Sequence, residues 1–249
     1  MILKEKNDII ILDCANSIDK EDRMFENKRI FILGMARSGY EAAKLLASKN
    51  TILVTDKKEQ ELSKVEELQK LGVVVKIVDD PIDLLDDTYD YVIKNPGIKL
   101  DHQVVVKAKE LNIPVINEVE VAFHFLPKVK IIGITGSNGK TTTTTLTYEI
   151  LKQANLPVHL GGNIGYPLCS LVNQCKDGDI LVLEISGHQL HDCYDFKTDI
   201  SVMTNLSEVH IDHFGSYDNY KYNKSLIFRH HTNNDIAILN LENKDVLEV

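Results

Sequence analysis

The stretch "VKIIGITGSNGKTTTTTLTYEILKQ", residues 129–153, limits the possible fold more than any other part of the sequence. An apolar run of strand type is followed by a glycine-rich turn, and the turn leads directly into a helical pattern. Glycines allow a backbone to close around phosphate oxygens, and the successive amides of such a turn form a concave anion site. This order of strand, loop and helix predicts a nucleoside-triphosphate site in an α/β sheet.

The loop also carries the side chains that a triphosphate site needs. Lys140 would place its positive charge on the outer phosphates, and the Thr141 hydroxyl would ligate magnesium. The spacing from Gly136 to Gly139 gives GxxGKT in place of the longer Walker pattern GxxxxGK[ST], which favours a narrower group of nucleotide-binding proteins. Threonine is a mediocre helix former, so beyond Thr142 we expect packing alone to explain the run of five threonines.

Apolar runs of strand type alternate with amphipathic runs along most of the chain. In the first half, strands are predicted within residues 28–34, 51–56, 73–79, 89–97 and 114–120. A second alternation begins at residue 129 and continues through "DILVLEIS", "DISVMTNLS" and "DIAILNLE". Such alternation implies parallel strands joined by crossover helices. We therefore predict an α/β protein in which a Rossmann-like, doubly wound parallel-sheet domain precedes a P-loop ATPase-type α/β domain.

The first predicted strand is followed by a second glycine turn, "GMARSG" at residues 34–39. A glycine turn that leads into a helix N-terminus suits an anion, and Asp56 closes the next strand, where a ribose-binding acid often lies. The turn lacks the middle glycine of GxGxxG, which argues against NAD or FAD. A phosphate-bearing nucleotide of another kind and a plain strand-to-helix turn both remain open.

Charge and composition narrow the class of protein. The net charge of −9 argues against a generally basic nucleic-acid binder. The N-terminal residues are apolar only in short bursts, which argues against a signal peptide or a membrane span. The four cysteines show neither CxxC nor zinc spacing, and we expect reduced, mostly buried thiols. These features favour a cytoplasmic protein, which we expect to be a monomer.

Polar side chains cluster after the predicted strands of the second half. Glu184 and Ser186 end "LVLEIS", His210 and Asp212 follow "VMTNLS", and Asn163 lies between glycines in "GGNIG". Because the carboxyl ends of parallel strands meet at one edge of a sheet, these groups predict a magnesium site beside the phosphate loop. Taken singly, Glu184 could equally pair with a lysine, and His210 could be a hydrogen-bonded structural histidine.

Five motifs in order, "GITGSNGKTTTT", "GGNIG", "LEIS", "NLSEVHIDHFGS" and "YKYNK", resemble the Mur ligases of cell-wall synthesis. These are ATP-dependent enzymes that join an amino acid to a UDP-muramoyl carboxylate. Within the family, "ILGMARSGYEAAKLL", "VTDKK" and "IKNPGI" are similar to the members that add D-glutamate to UDP-N-acetylmuramoyl-L-alanine. The resemblance covers residues 25–249 and implies ATP and Mg²⁺ as cofactors and an acyl phosphate intermediate.

The resemblance also implies a role for each matching residue. For ATP binding it implies Gly136, Ser137, Asn138, Gly139, Lys140, Thr141 and Thr142. For the UDP-substrate it implies Arg37, Ser38, Asp56, Asn95, Gly97, Asn163, Ser186 and Gln189. For catalysis it implies Lys140, Glu184, His210 and Lys224, and for metal binding Thr141, Glu184, His210 and Lys224. Lys224 falls where the family has a lysine carbamylated by carbon dioxide, and the reversed charge of a carbamate would support magnesium.

By the same resemblance, the chain divides into a leader at 1–24, a UDP-substrate domain at 25–126 and a central ATP domain at 127–249. The leader implies a disordered segment or an assigned start codon upstream of Met24. Family members continue beyond the position that matches residue 249: they complete the ATP domain and add a domain that binds D-glutamate. We therefore expect the ATP domain of this chain to be incomplete. We expect the 249 residues alone to have little or no ligase activity. D-glutamate-dependent phosphate release by the purified chain would contradict that expectation.

The sequence departs from the family pattern in one motif, and two alternative interpretations are open. The segment "EISGHQL" has Gly187 and His188 where the family has serine and an aromatic residue, which concerns substrate-side contacts more than ATP binding. Because family members continue beyond the position of residue 249, a fragment or degenerate copy that binds UDP-substrate or ATP without catalysis is a second hypothesis. A folylpolyglutamate synthase, which shares GxxGKT, is a third. Motifs such as "GMARSG" and "NPGI" speak against it, because that family has no equivalent N-terminal domain.

Overall fold

The computed structural model describes residues 24–208 and 214–249, which contain two five-stranded β-sheets with parallel pairing. The first sheet has the order β3-β2-β1-β4-β5 and consists of β1 (Arg29–Leu33), β2 (Thr51–Asp56), β3 (Val74–Ile77), β4 (Tyr91–Lys94) and β5 (Val115–Ile116). The second has the order β10-β9-β6-β8-β7 and consists of β6 (Lys130–Thr135), β7 (Val158–Gly162), β8 (Ile180–Glu184), β9 (Ile200–Met203) and β10 (Ile236–Leu239). The predicted class, α/β with two parallel-sheet units, is confirmed.

Helices connect the strands of both sheets. In the first unit they are α1 (Arg37–Leu46), α2 (Leu62–Lys70), α3 (Gln103–Glu110) and α4 (Glu118–Phe123). In the second, within the described residues, they are α5 (Lys140–Gln153), α6 (Leu168–Leu171), α7 (Gly187–His191), α8 (Tyr217–Ser225) and α9 (Lys244–Leu247). None of these helices has the length and apolar character needed to cross a membrane.

The strand order locates the ligand-binding edge of the first sheet. From central β1 the chain moves outward through β2 and β3 on one side, and then returns to β4 and β5 on the other. Ligands of doubly wound sheets bind at such a switch point, in the crevice beyond the carboxyl ends of the strands. The crevice of the first sheet therefore lies between the loops that follow β1 and β4.

The two units share one hydrophobic core. Ile30 and Ile32 of β1 belong to the same cluster of buried side chains as Leu168 of α6 and Leu183 of β8. Burial of neighbouring residues along β1 shows that both faces of the first sheet are covered, as expected for a parallel sheet. The contact between the units is therefore part of the core.

The predicted strand over residues 114–120 is wrong beyond Ile116. The Asn117 side-chain oxygen accepts hydrogen bonds from the amides of Val119 (2.9 Å) and Glu120 (3.3 Å), which caps and starts helix α4. The alternation of apolar and polar residues matched a strand, but the cap decides the local structure. The helix places two carboxylates at the junction of the units.

Two smaller expectations have mixed outcomes. Thr144 is fully buried, so packing explains it, whereas Thr145 is exposed and packing does not. The expectation of buried thiols is confirmed for Cys169, Cys175 and Cys193. Cys14 lies outside the described residues, as does nearly all of the predicted leader.

Buried polar contacts hold the junction between the units. The Asn117 amide donates to the Asp192 carbonyl (3.2 Å), and the Asn117 side chain donates to the Gln189 carbonyl. Glu118 accepts from the Cys169 amide. Lys94 of β4 forms an ion pair with Asp192 (2.9 Å), with both side chains buried. The relative position of the sheets is therefore fixed by paired polar groups as well as by apolar packing.

Glu118 gives a pH-dependent contribution to stability. Burial raises its pKa to about 7, against the lowering effect of the Cys169 amide and side chain. A folded-state pKa above the unfolded value means that the contribution is complete below the unfolded pKa and is lost as pH rises toward 7. In the unsubstituted chain, ionisation of Glu118 should lower the free energy of unfolding by on the order of 3 kcal/mol between about pH 5 and pH 8. In Glu118→Gln this decrease should be absent. Urea unfolding of both proteins at the two pH values measures this.

The exposed Glu149 provides the control for this prediction. Glu149→Gln should leave the pH dependence of the unfolding free energy as it is in the unsubstituted chain. Equal pH slopes for the unsubstituted chain and Glu118→Gln would contradict the prediction.

Candidate nucleotide and substrate site

The loop between β6 and α5 has the compact shape of an anion-binding turn. Gly136 (φ 141°) and Gly139 (φ 78°) both have positive φ, which favours glycine. A Cβ on Gly136 would lie 2.1 Å from the Thr204 hydroxyl, so a side chain cannot be accommodated there without movement. The Asn138 amide donates to the Asn205 side chain (3.0 Å), which fastens the loop to the segment after β9.

Three predicted site residues meet beside this loop. The Glu184 carboxylate, buried at the end of β8, accepts hydrogen bonds from the Thr141 hydroxyl (2.7 Å) and from the Asn163 side-chain amide (2.7 Å). Thr141 lies in the first turn of α5, and Asn163 directly follows β7. Carboxylate, hydroxyl and amide oxygens are the hard ligands that Mg²⁺ prefers, so these residues fit a magnesium site.

Two lysines are directed toward the same loop. Lys140 donates to the Ser137 carbonyl (2.9 Å), and Lys224 donates to the Gly136 carbonyl (2.9 Å). Burial lowers the pKa of Lys140, with Glu184 acting in the opposite direction. Burial, followed by the positive charge of Lys140, lowers the pKa of Lys224 to about 7. Lys224 is therefore substantially neutral near neutral pH.

Lys224 is held in place by its own helix. Its spacing in the sequence is typical of a solvated helix lysine, yet only 3% of the residue is exposed. Its Nζ atom lies 5.3 Å from the ring centroid of Tyr220, one turn earlier on α8. The Tyr220 hydroxyl is hydrogen-bonded to the Ser137 hydroxyl (2.7 Å), so α8 is docked on the phosphate loop.

A cavity of about 290 Å³ lies in front of these groups. Its lining consists of Pro96, Gly97, Lys140, Asn163, Ser186, Gly187, His188, Tyr220 and Lys224. A Cβ on Gly187 would approach the Phe214 ring (3.4 Å) and the Lys224 side chain (3.6 Å). The departure from the family's serine therefore leaves space beside Lys224.

A larger cavity, of about 550 Å³, lies at the switch point of the first sheet. Three predicted residues line it: Asp56, Asn95 and Gly97. Because Gly97 also lines the smaller cavity, the two cavities meet at this residue. Three further lining residues, Lys57, Lys58 and Lys99, were not predicted. Positive side chains at the strand edge suit a diphosphate, and the adjacent lysines of "TDKK" were the available signal.

Other predicted residues shape the larger cavity through backbone contacts. Asp56 accepts from the amides of Met35 (2.7 Å) and Lys58 (3.0 Å), so it orders the turns after β1 and β2. Asn95 accepts from the Gly97 amide (3.1 Å) and donates to the Ser38 hydroxyl (3.1 Å).

The remaining predicted residues lie around the two cavities. Arg37 donates to the Gly165 carbonyl (3.2 Å), a contact that links the two units. Ser186 and Gln189 form a capping box at the start of α7, and the buried Gln189 lines neither cavity among the described residues. Thr142 is exposed in the first turn of α5. His210 lies outside the described residues.

The chain is similar to known proteins in sequence and in fold. Residues 134–249 match the Mur ligase middle domain. A UDP-N-acetylmuramate:L-alanyl-gamma-D-glutamyl-meso-diaminopimelate ligase from Neisseria meningitides has a similar fold, with a TM-score of 0.56, 18% identity and coverage of 89% of this chain and 74% of that chain. A UDP-N-acetylmuramate-alanine ligase from Thermotoga maritima also has a similar fold, with a TM-score of 0.50 and 21% identity. The alignment covers 89% of this chain and 51% of that chain. The chain is thus similar in sequence to Mur ligases over residues 134–249, and similar to them in fold over most of its length.

More similar relatives share a single name. The chain is 40% identical over 232 residues to a UDP-N-acetylmuramoylalanine–D-glutamate ligase of a Geobacillus species, covering 92% of this chain and 51% of that protein. It is 42% identical over 229 residues to the protein of the same name from Streptococcus mutans, and the match covers 91% of this chain and 50% of that protein. The chain therefore spans about half the length of the curated relatives it matches.

Proposed function

We propose that the protein takes part in the ATP-dependent addition of D-glutamate to UDP-N-acetylmuramoyl-L-alanine, a step of peptidoglycan precursor synthesis. In this proposal residues 25–126 bind the UDP-substrate and residues 127–249 bind ATP. The observation that carries it is the smaller cavity, where Lys140, Lys224 and Asn163 converge and which meets the larger cavity at Gly97. A substrate spanning both cavities would present its far end to the phosphate loop.

The proposed reaction has two steps. A carboxylate oxygen of the alanyl group attacks the γ-phosphorus of ATP, and the bond to the ADP oxygen breaks to give an acyl phosphate. The amine of D-glutamate then attacks the acyl carbon, loses a proton, and the carbon–oxygen bond to phosphate breaks. Catalysis of such transfers depends mainly on positioning and on neutralisation of charge.

Residues of the phosphate loop and α8 perform that positioning. The loop amides and Lys140 would hold the outer phosphates, and Thr141 and Glu184 would hold Mg²⁺, which neutralises phosphate charge. A neutral Lys224 amine can attack carbon dioxide and release a proton to solvent, which gives a carbamate. Because a carbamate is anionic, Lys224 would then support magnesium beside the loop, together with His210.

Carbamylation of Lys224 can be tested directly. With ¹³C-bicarbonate, the chain should show one carbamate carbon resonance that disappears in Lys224→Arg, since a guanidinium does not form a carbamate under these conditions. Lys221→Arg, on the same helix with an exposed partner Asp218, should retain it. The same carbamate signal in Lys224→Arg would contradict the assignment.

Because ATP and the UDP-substrate are assigned to different cavities, we expect substitutions in one cavity to weaken the binding of only one ligand. Thr141→Val should weaken binding of ATP with Mg²⁺ by about tenfold and leave UDP-N-acetylmuramoyl-L-alanine nearly unaffected. Lys58→Met, in the larger cavity, should give the reverse pattern. Lys70→Met, outside both cavities on α2, is the matched control. Calorimetric titrations measure the affinity of each variant for both ligands, and equal losses for both ligands in Thr141→Val and in Lys58→Met would contradict the proposal.

A further inference from the structure

We propose that Glu120, His124 and Asp195 form a second metal site, suited to Zn²⁺, at the junction of the two units. Glu120 lies on α4 and His124 directly follows that helix, one turn later, while Asp195 lies between α7 and β9. None of the three residues lines either cavity of the nucleotide and substrate site. The site is therefore separate from the proposed magnesium ligands.

The distances among the three groups suit tetrahedral coordination. His124 Nε2 lies 3.6 Å from Glu120 Oε1 and 3.4 Å from Asp195 Oδ2. One ligand atom from each residue lies within 4.8 Å of the other two. Tetrahedral Zn²⁺ has bonds of about 2.0–2.2 Å to nitrogen and oxygen, which separates neighbouring ligand atoms by about 3.3–3.6 Å. An ion between these atoms would need little rearrangement of the side chains.

The surroundings of the His124 imidazole support the metal site independently of the distances. Its side chain is only 8% exposed, and Nε2 has no hydrogen-bond partner among the described residues. A protonated ring paired with a carboxylate would form a short bond of about 2.7–2.9 Å, and both observed distances are longer. The Phe25 and Phe123 rings contact the imidazole edge-on (5.7 and 5.9 Å between centroids). Nε2 is therefore directed at both carboxylates without bonding to either.

The backbone orients the Glu120 carboxylate toward the same point. Its two oxygens accept hydrogen bonds from the amides of Asp195 (2.8 Å) and Phe196 (3.0 Å). Such contacts fix a ligating carboxylate as outer-shell partners do in metal sites. The carboxylate is thus held in a fixed position facing His124.

The third ligand provides access from solvent. The Asp195 side chain is 55% exposed, so an ion can enter from that side, and water can complete the coordination. One imidazole with two carboxylates suits Zn²⁺ and related first-row cations better than Mg²⁺, which prefers oxygen ligands alone. A bound ion would tie α4 to the segment before β9 and would thereby stabilise the junction.

Cobalt provides a spectroscopic probe for the proposed site. The 249-residue chain, freed of metal with a chelator, should bind one equivalent of Co²⁺ with the visible absorption of a tetrahedral complex. Zn²⁺ should displace the cobalt and raise the Tm. Asp195→Asn, at the exposed ligand, should fold normally and weaken Co²⁺ binding by roughly tenfold or more. His124→Gln should remove the tetrahedral spectrum.

His159 supplies the matched control, because it also lies beside a carboxylate, that of Asp179 (2.8 Å). His159→Gln should leave Co²⁺ binding intact. Saturating ATP with Mg²⁺ should not displace the cobalt, which separates this proposal from the proposed ligase function. Absence of the cobalt spectrum in the unsubstituted chain, or unchanged Co²⁺ affinity in both Asp195→Asn and His124→Gln, would overturn the proposal.

Discussion

Replacing Lys94 with methionine should lower the free energy of unfolding by about 3–5 kcal/mol. The Lys94 ammonium lies 2.9 Å from Asp192, and their side chains are 0% and 3% exposed. Methionine has a similar length but no charge, so the substitution leaves a buried carboxylate without its main cation. His191, which is bonded to the other Asp192 oxygen (2.6 Å), would compensate only in part. Urea unfolding followed by circular dichroism measures the loss.

The same substitution should affect ligand binding. Lys94 also donates to the Ile98 carbonyl (3.0 Å), which closes the turn that carries Asn95 and Gly97. Loosening this turn should weaken binding of UDP-N-acetylmuramoyl-L-alanine, because both residues line the larger cavity. The ion pair thus connects the stability of the junction to the shape of the proposed substrate site.

Lys64 provides the control for this ion pair. Its ion pair with Glu61 is exposed, so Lys64→Met should change the unfolding free energy by less than about 1 kcal/mol. A double variant, Lys94→Met with Asp192→Leu, should recover part of the stability, because it removes the unpaired charge as well. A loss in Lys94→Met no larger than that in Lys64→Met would contradict the prediction.

Lys140→Met should weaken ATP binding by about 10- to 100-fold, since a charged hydrogen bond contributes about 1.5–3 kcal/mol. The Lys140 ammonium is directed at the phosphate loop and lines the smaller cavity. A second readout follows from the electrostatics: the charge of Lys140 lowers the pKa of Lys224. Its removal should raise that pKa and reduce the ¹³C carbamate signal at a fixed pH.

Lys221 on α8 is a suitable control for both readouts, because it pairs with Asp218 and Glu248 at the surface. Lys221→Met should bind ATP as the unsubstituted chain does. Calorimetric titration with ATP and Mg²⁺ tests the affinity. Unchanged ATP affinity in Lys140→Met would contradict the assignment of the loop.

The features predictable from the sequence are those with a local pattern. Strand β6, the glycine turn and α5 follow one another in the chain, so the loop around Gly136 could be predicted directly. Parallel pairing then brought Glu184 and Asn163 to the edge where Thr141 lies. Strand β7 was not predicted, because its last residues, Gly161 and Gly162, resemble a turn.

Long-range packing determines the features that the sequence did not predict. Lys94 and Asp192 are far apart in the chain, and neither has a local signal for a buried ion pair. The burial of Lys224 depends on the docking of α8 against the phosphate loop. His124 became notable only because Asn117 starts a helix that turns it toward Asp195.

The most direct test of the account is calorimetric titration of the folded 249-residue chain with UDP-N-acetylmuramoyl-L-alanine and, separately, with ATP and Mg²⁺. We expect one site for each ligand: the UDP compound should span the two cavities that meet at Gly97, and ATP should bind at the phosphate loop. Binding of ATP without the UDP compound would contradict the assignment of the first sheet, and binding of neither ligand by a folded sample would contradict the account as a whole.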